Sequence, residues 1–199
     1  MGFQECTKQL MLCQIPQLNK MKKLVWLLFL SILVSEVKAQ TFITRNGYIG
    51  FFSKTPLEDI KAENHQVYAV IDAAKKNLAF TCLVKGFLFR KQLMQEHFNE
   101  NYIESDKYPK ADFLGTYTGD VNPGKDGTYP VQIKGKLTLH GVTQAIDVPA
   151  TIEVKGGKLI GTSNFKLTPG DFNIKIPELV KEKIAKQIDV RVSVECNPK

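Results

Sequence analysis

The feature that most constrains this chain is a strict alternation of apolar and polar residues, repeated in segment after segment beyond residue 40. In "YPVQIKGKLTLH", Tyr129, Val131, Ile133, Leu137 and Leu139 take one face, while Gln132, Lys134, Lys136 and Thr138 take the other. "AIDVPATIEV" sets Ile146, Val148, Ala150, Ile152 and Val154 against Asp147, Thr151 and Glu153. "QIDVRVSVEC" does the same with Ile188, Val190, Val192 and Val194. Successive side chains of a strand point to opposite faces, so a period of two marks strands with one face in a core and one in water. Between the first two segments "HGVTQ" suits a hairpin connection.

Five weaker segments read the same way: "FITRNGYIGFFS", "QVYAVID", "LAFTCLVKGFLF", "ADFLGTYTGDV" and "KLIGTSNFKL". Turn signals such as "NPGKDG" and "KGGK" separate strands, and Gly115, Gly135 and Gly161 fall inside strands, where a curling sheet bends. Two stretches carry helical spacing instead. "RKQLMQEHFNENYI" places Leu93, Met94, His97 and Phe98 in one stripe. "IPELVKEKIAKQ" opens on Pro177, tolerated in a first helical turn, and continues with Leu179, Val180 and Ile184. The fold class is all-β with two short helices. A two-sheet sandwich and a closed eight-stranded antiparallel barrel both satisfy the pattern; the barrel removes exposed edges, and periodicity does not choose between them.

The front of the chain has a different character. From Met21, "MKKLVWLLFLSILVSEVKAQ" combines Lys22 and Lys23 with an apolar run from Leu24 to Val34 and small residues at Val37 and Ala39, the layout of a cleaved export signal. The run is too short for a bilayer, which needs about 20 residues. Residues 21–39 are therefore expected to be a signal peptide cut before Gln40, giving a periplasmic protein. Residues 1–20 are expected to be an over-extended N-terminus. "LMLC" at 10–13 has only polar sequence before it, so Cys13 is not expected to carry lipid. The domain proper is 40–199.

The chain holds 27 basic and 20 acidic residues. Five lysines and two glutamates precede Gln40, leaving 22 against 18, or +4, for the domain. These charges are interspersed, which does not make a nucleic-acid surface. Cys82 and Cys196 are the cysteines of the domain; they leave a disulfide and two buried thiols equally open.

"MQEHFNENYIESDKYPKADF" (94–113) gathers ligand-type side chains, and a metal site is the reading to test first. His97 and Glu100 lie three apart, and Glu104 follows. A metal needs three or four converging ligands, yet His65 and His140 belong to distant segments, and Pro109 stops any helix before Asp112. The expectation is a seam: His97, Phe98, Tyr102 and Tyr108 pack a helix across the sheet, and Glu96, Glu100 and Glu104 face water. No G-x-S-x-G elbow, Gly-rich phosphate loop or C-x-x-C motif occurs. Neither an enzyme nor a cofactor or metal site is expected.

"GKLTLHGVTQAIDVPATIEV", with "HFNENYIESDKYPKADF" upstream and "IDVRVSVE" near the end, resembles the YceI-like family, in the form found in exported proteins of Bacteroidetes-type bacteria. The resemblance runs from about Asn46 to Glu195. It implies a lipocalin-like antiparallel β-barrel with a long interior pocket that holds a polyisoprenoid or related long-chain amphiphile without covalent attachment.

In such a barrel the apolar half of each strand faces inward. The expected ligand-lining residues are Phe80, Val84, Phe113, Tyr117, Val131, Ile133, Leu137, Ile146, Val148, Ile152, Leu159, Phe165, Val190 and Val192. Some of them must plug the ends. Tyr117 and Tyr129 are the candidates for a polar contact with the ligand's head at the mouth. The alternative is a barrel packed solid, with an outer surface that docks a protein partner; a continuous cavity separates the two.

Overall fold

Every alternating segment is a strand. The computed structural model describes residues 41–199; the expected 1–20 extension, the signal at 21–39 and the cut before Gln40 lie outside the described residues. The elements are β1 (Thr41–Lys54), β2 (Asp59–Asp72), β3 (Asn77–Leu83), the two-residue β4 (Leu88–Phe89), α1 (Gln92–His97), β5 (Lys110–Thr118), β6 (Gly127–Leu139), β7 (Val142–Lys155), β8 (Lys158–Leu167) and β9 (Ile188–Pro198).

Eight of these strands form one up-and-down meander, each antiparallel to the next. Pairing of β9 with β1 closes it, for example Val190 opposite Phe51. The architecture is thus the lipocalin-like eight-stranded barrel, not the sandwich. β4 adds a ninth strand on the edge of β2, with Phe89 opposite Ala62. The sequence stretch 78–89 is broken between β3 and β4 by a single 3₁₀ turn at Val84–Gly86. Asn64, fully buried, holds that break. Its Nδ2 donates to the Leu83 carbonyl at 2.9 Å, and its Oδ1 accepts from Gln66 N at 2.8 Å, across the register shifts between β1 and β2.

The glycines inside strands lie where the wall is tightest. Gly115 of β5 pairs with Gly135 of β6, and a Cβ on either would come within 2.6 Å of the Phe113 ring. The aromatic ring covers the paired glycines from inside, a packing only hydrogen at Cα permits. The β6–β7 hairpin turns on His140 and Gly141, with φ of 51° and 73°. Two successive positive φ values match the right-handed twist of the flanking strands.

The helices are shorter than their stripes imply. α1 covers six residues and passes into a π-helical turn, Phe98–Tyr102, where Ile103 N donates to Phe98 O at 2.9 Å. The second helical stretch is wound as a 3₁₀ turn, Glu178–Lys183. Leu179 belongs to no buried stripe and is 97% exposed. A six-residue segment without a neighbour to bury Leu179 gains nothing from completing an α-turn.

Antiparallel order puts loops 73–76, 119–126 and 156–157 at one end of the barrel and loops 55–58, 84–109, 140–141 and 168–187 at the other. The first end is packed solid. Phe42, Tyr117, Val131, Val154, Leu159 and Cys196 form its core, and Ile71, Leu78, Ile152 and Val194 pack on them as the floor of the space above. The second carries the two long excursions, and there the interior opens.

Candidate functional site

Inward-facing side chains near mid-barrel are not fully buried. Ile133, Leu137, Ile146, Ala150 and Val192 pack against the core yet keep accessible surface, because they face an interior space of about 490 Å³. Its wall is overwhelmingly aliphatic and aromatic. The hydroxyls of two serines that reach it are engaged with protein: Ser163 Oγ donates to Pro149 O at 2.7 Å, and Ser53 Oγ accepts from Ala185 N at 2.8 Å.

Eleven of the fourteen residues expected from the alternation line this cavity: Phe80, Val84, Phe113, Ile133, Leu137, Ile146, Val148, Ile152, Phe165, Val190 and Val192. Tyr117, Val131 and Leu159 do not. They belong to the plug at the packed end, where Leu159 is wholly buried and Tyr117 nearly so. Tyr117 Oη points at the Ala73 carbonyl, 3.5 Å away, and Tyr129 donates to Lys125 O at 2.9 Å. Both tyrosines serve the end opposite the mouth, so neither is placed to meet a ligand's head. Their alternation was right; their height along the barrel was not readable from it.

The upper part of the cavity comes from residues that the strand pattern did not single out. Phe51, Phe87, Phe89 and Phe98 form an aromatic cluster with centroids 5.1 to 5.8 Å apart. Leu93, Met94, Tyr102, Ile174, Ile176, Val180 and Ile184 roof it. The two-residue spacing of Phe87 and Phe89, and of Ile174 and Ile176, was a usable signal. The first pair sat in a segment, 78–89, read as one continuous strand, and Ile176 opened the segment read as helix.

Three loops meet around the opening. Lys91 at the start of α1 donates to Glu58 in the β1–β2 loop at 2.9 Å, and the Ala185–Ser53 bond ties 168–187 to the end of β1. Glu58, Lys91 and Lys183 all line the cavity. The bond from Lys91 holds the Glu58 carboxyl below its usual range, and the charges of Lys91 and Lys183 add to this. The interior is the electrical opposite. Burial, with the Asp112 charge adding, pushes the Cys82 thiol up to about 11, and burial raises the Tyr102 hydroxyl; both residues line the cavity. Such surroundings disfavour any charged form. Cys196, in the plug, is pushed up to about 12 by burial. Both cysteines are free and buried, so no disulfide joins them.

The crowded stretch 94–113 divides between two tasks. His97, Phe98 and Tyr102 face the cavity, and Tyr108 packs edge-on against His140 with centroids 4.6 Å apart. Glu104, expected to face water, keeps 44% of its side chain exposed and also bonds His140: its Oε2 lies 2.8 Å from Nε2, while Nδ1 lies 3.0 Å from the Phe172 carbonyl. Both partners are acceptors, so each bond needs the proton on the ring nitrogen that faces it. This clamp joins the β3–β5 excursion, the β6–β7 hairpin and the β8–β9 excursion. Among the described residues, no group of three or more His, Cys, Asp or Glu side chains is arranged to hold a metal ion.

The family model for the YceI-like domain matches residues 34–196. The chain belongs to the YceI-like family. No curated protein sequence matches it. Solved structures with the same fold include a polyisoprenoid-binding domain from Saccharophagus degradans, with 12% identity, a TM-score of 0.69, and coverage of 81% of this chain and all of that one. BcnA from Burkholderia cenocepacia aligns with 17% identity and a TM-score of 0.63, over 75% of this chain and 95% of that one. The Campylobacter jejuni YceI protein aligns with 22% identity and a TM-score of 0.56, over 71% and 86%. At these identities the likeness is one of fold. In this YceI-like barrel, as described above, the wall is continuous and the opening lies between the two excursions. Among the described residues no helix is long and apolar enough to cross a membrane.

Proposed function

We propose that this YceI-like chain is a non-catalytic carrier that holds a polyisoprenoid or similar long-chain amphiphile inside the barrel. The observation that carries the reading is the apolar cavity of about 490 Å³. A methylene takes about the volume of a liquid water, roughly 30 Å³, so the cavity has room for about 16 chain carbons. At roughly 0.8 kcal/mol per buried methylene, these contribute about 13 kcal/mol gross. Micromolar binding needs about 8 kcal/mol net, which leaves about 5 kcal/mol for the costs of association. Apolar burial alone is enough, and the wall needs no polar anchor. A longer chain would extend between the excursions and bring its head to Glu58, Lys91 and Lys183. The polyisoprenoid-binding neighbour supports the choice of ligand class. The leader-like sequence at 21–39 supports export to the periplasm.

The cavity favours this reading over a solid barrel that docks a protein partner. The test is native mass spectrometry of the processed protein, purified gently from its own host, with solvent extraction of what it holds. A stoichiometric long-chain lipid is expected. A protein that arrives empty and also refuses added long-chain alcohols and acids would overturn the carrier reading.

A further inference from the structure

The interior is closed at one end and carries charge only toward the other. Ile71 of β2 lies opposite Leu78 of β3, and on the facing wall Ile152 of β7 and Val194 of β9 flank Gly161 of β8. All five border the cavity, and the four branched side chains are buried. The plug beneath them, Tyr117 and Leu159 included, is buried and does not reach the space. Among the described residues, the charged side chains that border the cavity are Glu58, Lys91, Asp112 and Lys183. Three belong to the loops of the open end, and Asp112 lies two residues into β5, the strand that starts there.

This asymmetry decides which end of an amphiphile goes in first. A hydroxyl or charged head pressed on the floor meets hydrocarbon, whereas at the mouth it keeps water and ionic partners. The floor then sets how much of the tail is covered. A cavity of about 490 Å³ holds about 16 chain carbons at roughly 30 Å³ each, which is one tail and not two. Each covered carbon multiplies affinity about fourfold, and a carbon left outside the cavity adds no burial.

We propose that Ile71, Leu78, Ile152 and Val194 act as a chain-length stop: the barrel takes single-tailed amphiphiles tail first and discriminates among tails only up to about 16 carbons. The proposal rests on the carrier reading and narrows the ligand class within it, to molecules with one tail and one polar end. Specificity for length resides in the floor, not in the headgroup contacts at the mouth.

The test is a competition titration in which straight-chain alcohols displace a fluorescent long-chain alcohol from the purified protein. For wild type, affinity is expected to rise about fourfold per carbon and to level off at about 16 carbons. A diol with a hydroxyl at each end of a tail of that length should bind about thirtyfold or more weakly, because one hydroxyl must meet the floor. Leu78→Ala and Ile152→Ala each remove three carbons from the floor and should move the break to tails about three carbons longer. Leu159→Ala, in the plug below, should leave the break where it is. Self-association of the longer alcohols flattens every series alike, so it cannot shift the break between variants. A smooth rise through the whole series overturns the stop and leaves the carrier standing. So does a break that stays put in both floor variants while their thermal melts show them folded, or a diol that binds as well as the alcohol. If neither floor variant folds, the wild-type break and the diol decide between the same outcomes. If no alcohol of any length binds, the carrier reading falls and the stop with it.

Discussion

Ala150 offers a direct way to separate a hollow barrel from a filled one. It sits on β7 between Val148 and Ile152, pairs with Val131 and Ser163, points inward and lines the cavity. Ala150→Phe adds six ring carbons to the wall. In a hollow barrel these occupy about six of the roughly 16 positions open to a ligand chain, at about 0.8 kcal/mol each. The lost burial is about 5 kcal/mol, and at about 1.4 kcal/mol per decade affinity for a long-chain alcohol falls by roughly a thousandfold. The ligand-free protein, meanwhile, gains buried apolar surface, so its Tm should hold or rise. The two readouts, a fluorescence titration with the alcohol and a thermal melt without it, therefore move in opposite senses. In a filled barrel the ring has nowhere to go. Overpacking then costs about 1–3 kcal/mol, and at about 2–4 °C per kcal/mol Tm drops visibly. A lowered Tm with ligand binding intact would refute the cavity as the place where the ligand is held.

The plug should behave in the opposite way. Leu159→Ala, at a wholly buried position outside the cavity, is expected to cost about 2–5 kcal/mol in urea unfolding, with affinity for the alcohol kept within about twofold. The Glu104–His140 clamp predicts a pH signature. The bond to His140, aided by the Lys107 charge, holds the Glu104 carboxyl below its usual 4.5. A carboxyl lowered on folding stabilises the fold above its unfolded value, and that stabilisation is lost as pH falls through the lowered value. Wild type should therefore be more stable than Glu104→Gln near neutral pH, and the two should converge in urea titrations carried below 4.5. A constant difference across that range would mean that the clamp acts by shape and not by charge.

Much of the wall was legible because strands repeat every two residues whatever surrounds them. Ile146, Val148 and Ile152 can be assigned to the inside from "AIDVPATIEV" alone, and the Gly-containing "HGVTQ" marks the hairpin that His140 and Gly141 turn. The roof was not legible. Phe87 and Phe89 reach the cavity because Asn64 and Gly86 fit together at the break after β3, where a Cβ on Gly86 would lie 2.7 Å from the Asn64 amide. Ile174 and Ile176 reach it because the excursion is tied back to Ser53, 132 residues away in sequence. A two-residue spacing at these positions does not announce contacts of that length. The same holds for Glu104: its carboxylate looks like a solvated helix face until His140, 36 residues on, is brought against it.

Sequence by itself determined the strands, their inward faces and the turns between them. These are properties of a residue and its near neighbours, set by side-chain alternation and by which residues tolerate positive φ. Tertiary structure alone decided closure into a barrel, through the pairing of β1 with β9 at opposite ends of the domain. It also decided height: Tyr117, Val131 and Leu159 carry the same inward signature as Ile133 and Val148, yet they plug one end while the others face open space. A two-residue period says which side of the sheet a residue takes. Whether a neighbour fills the space in front of it depends on strands and loops that meet it only once the chain is folded.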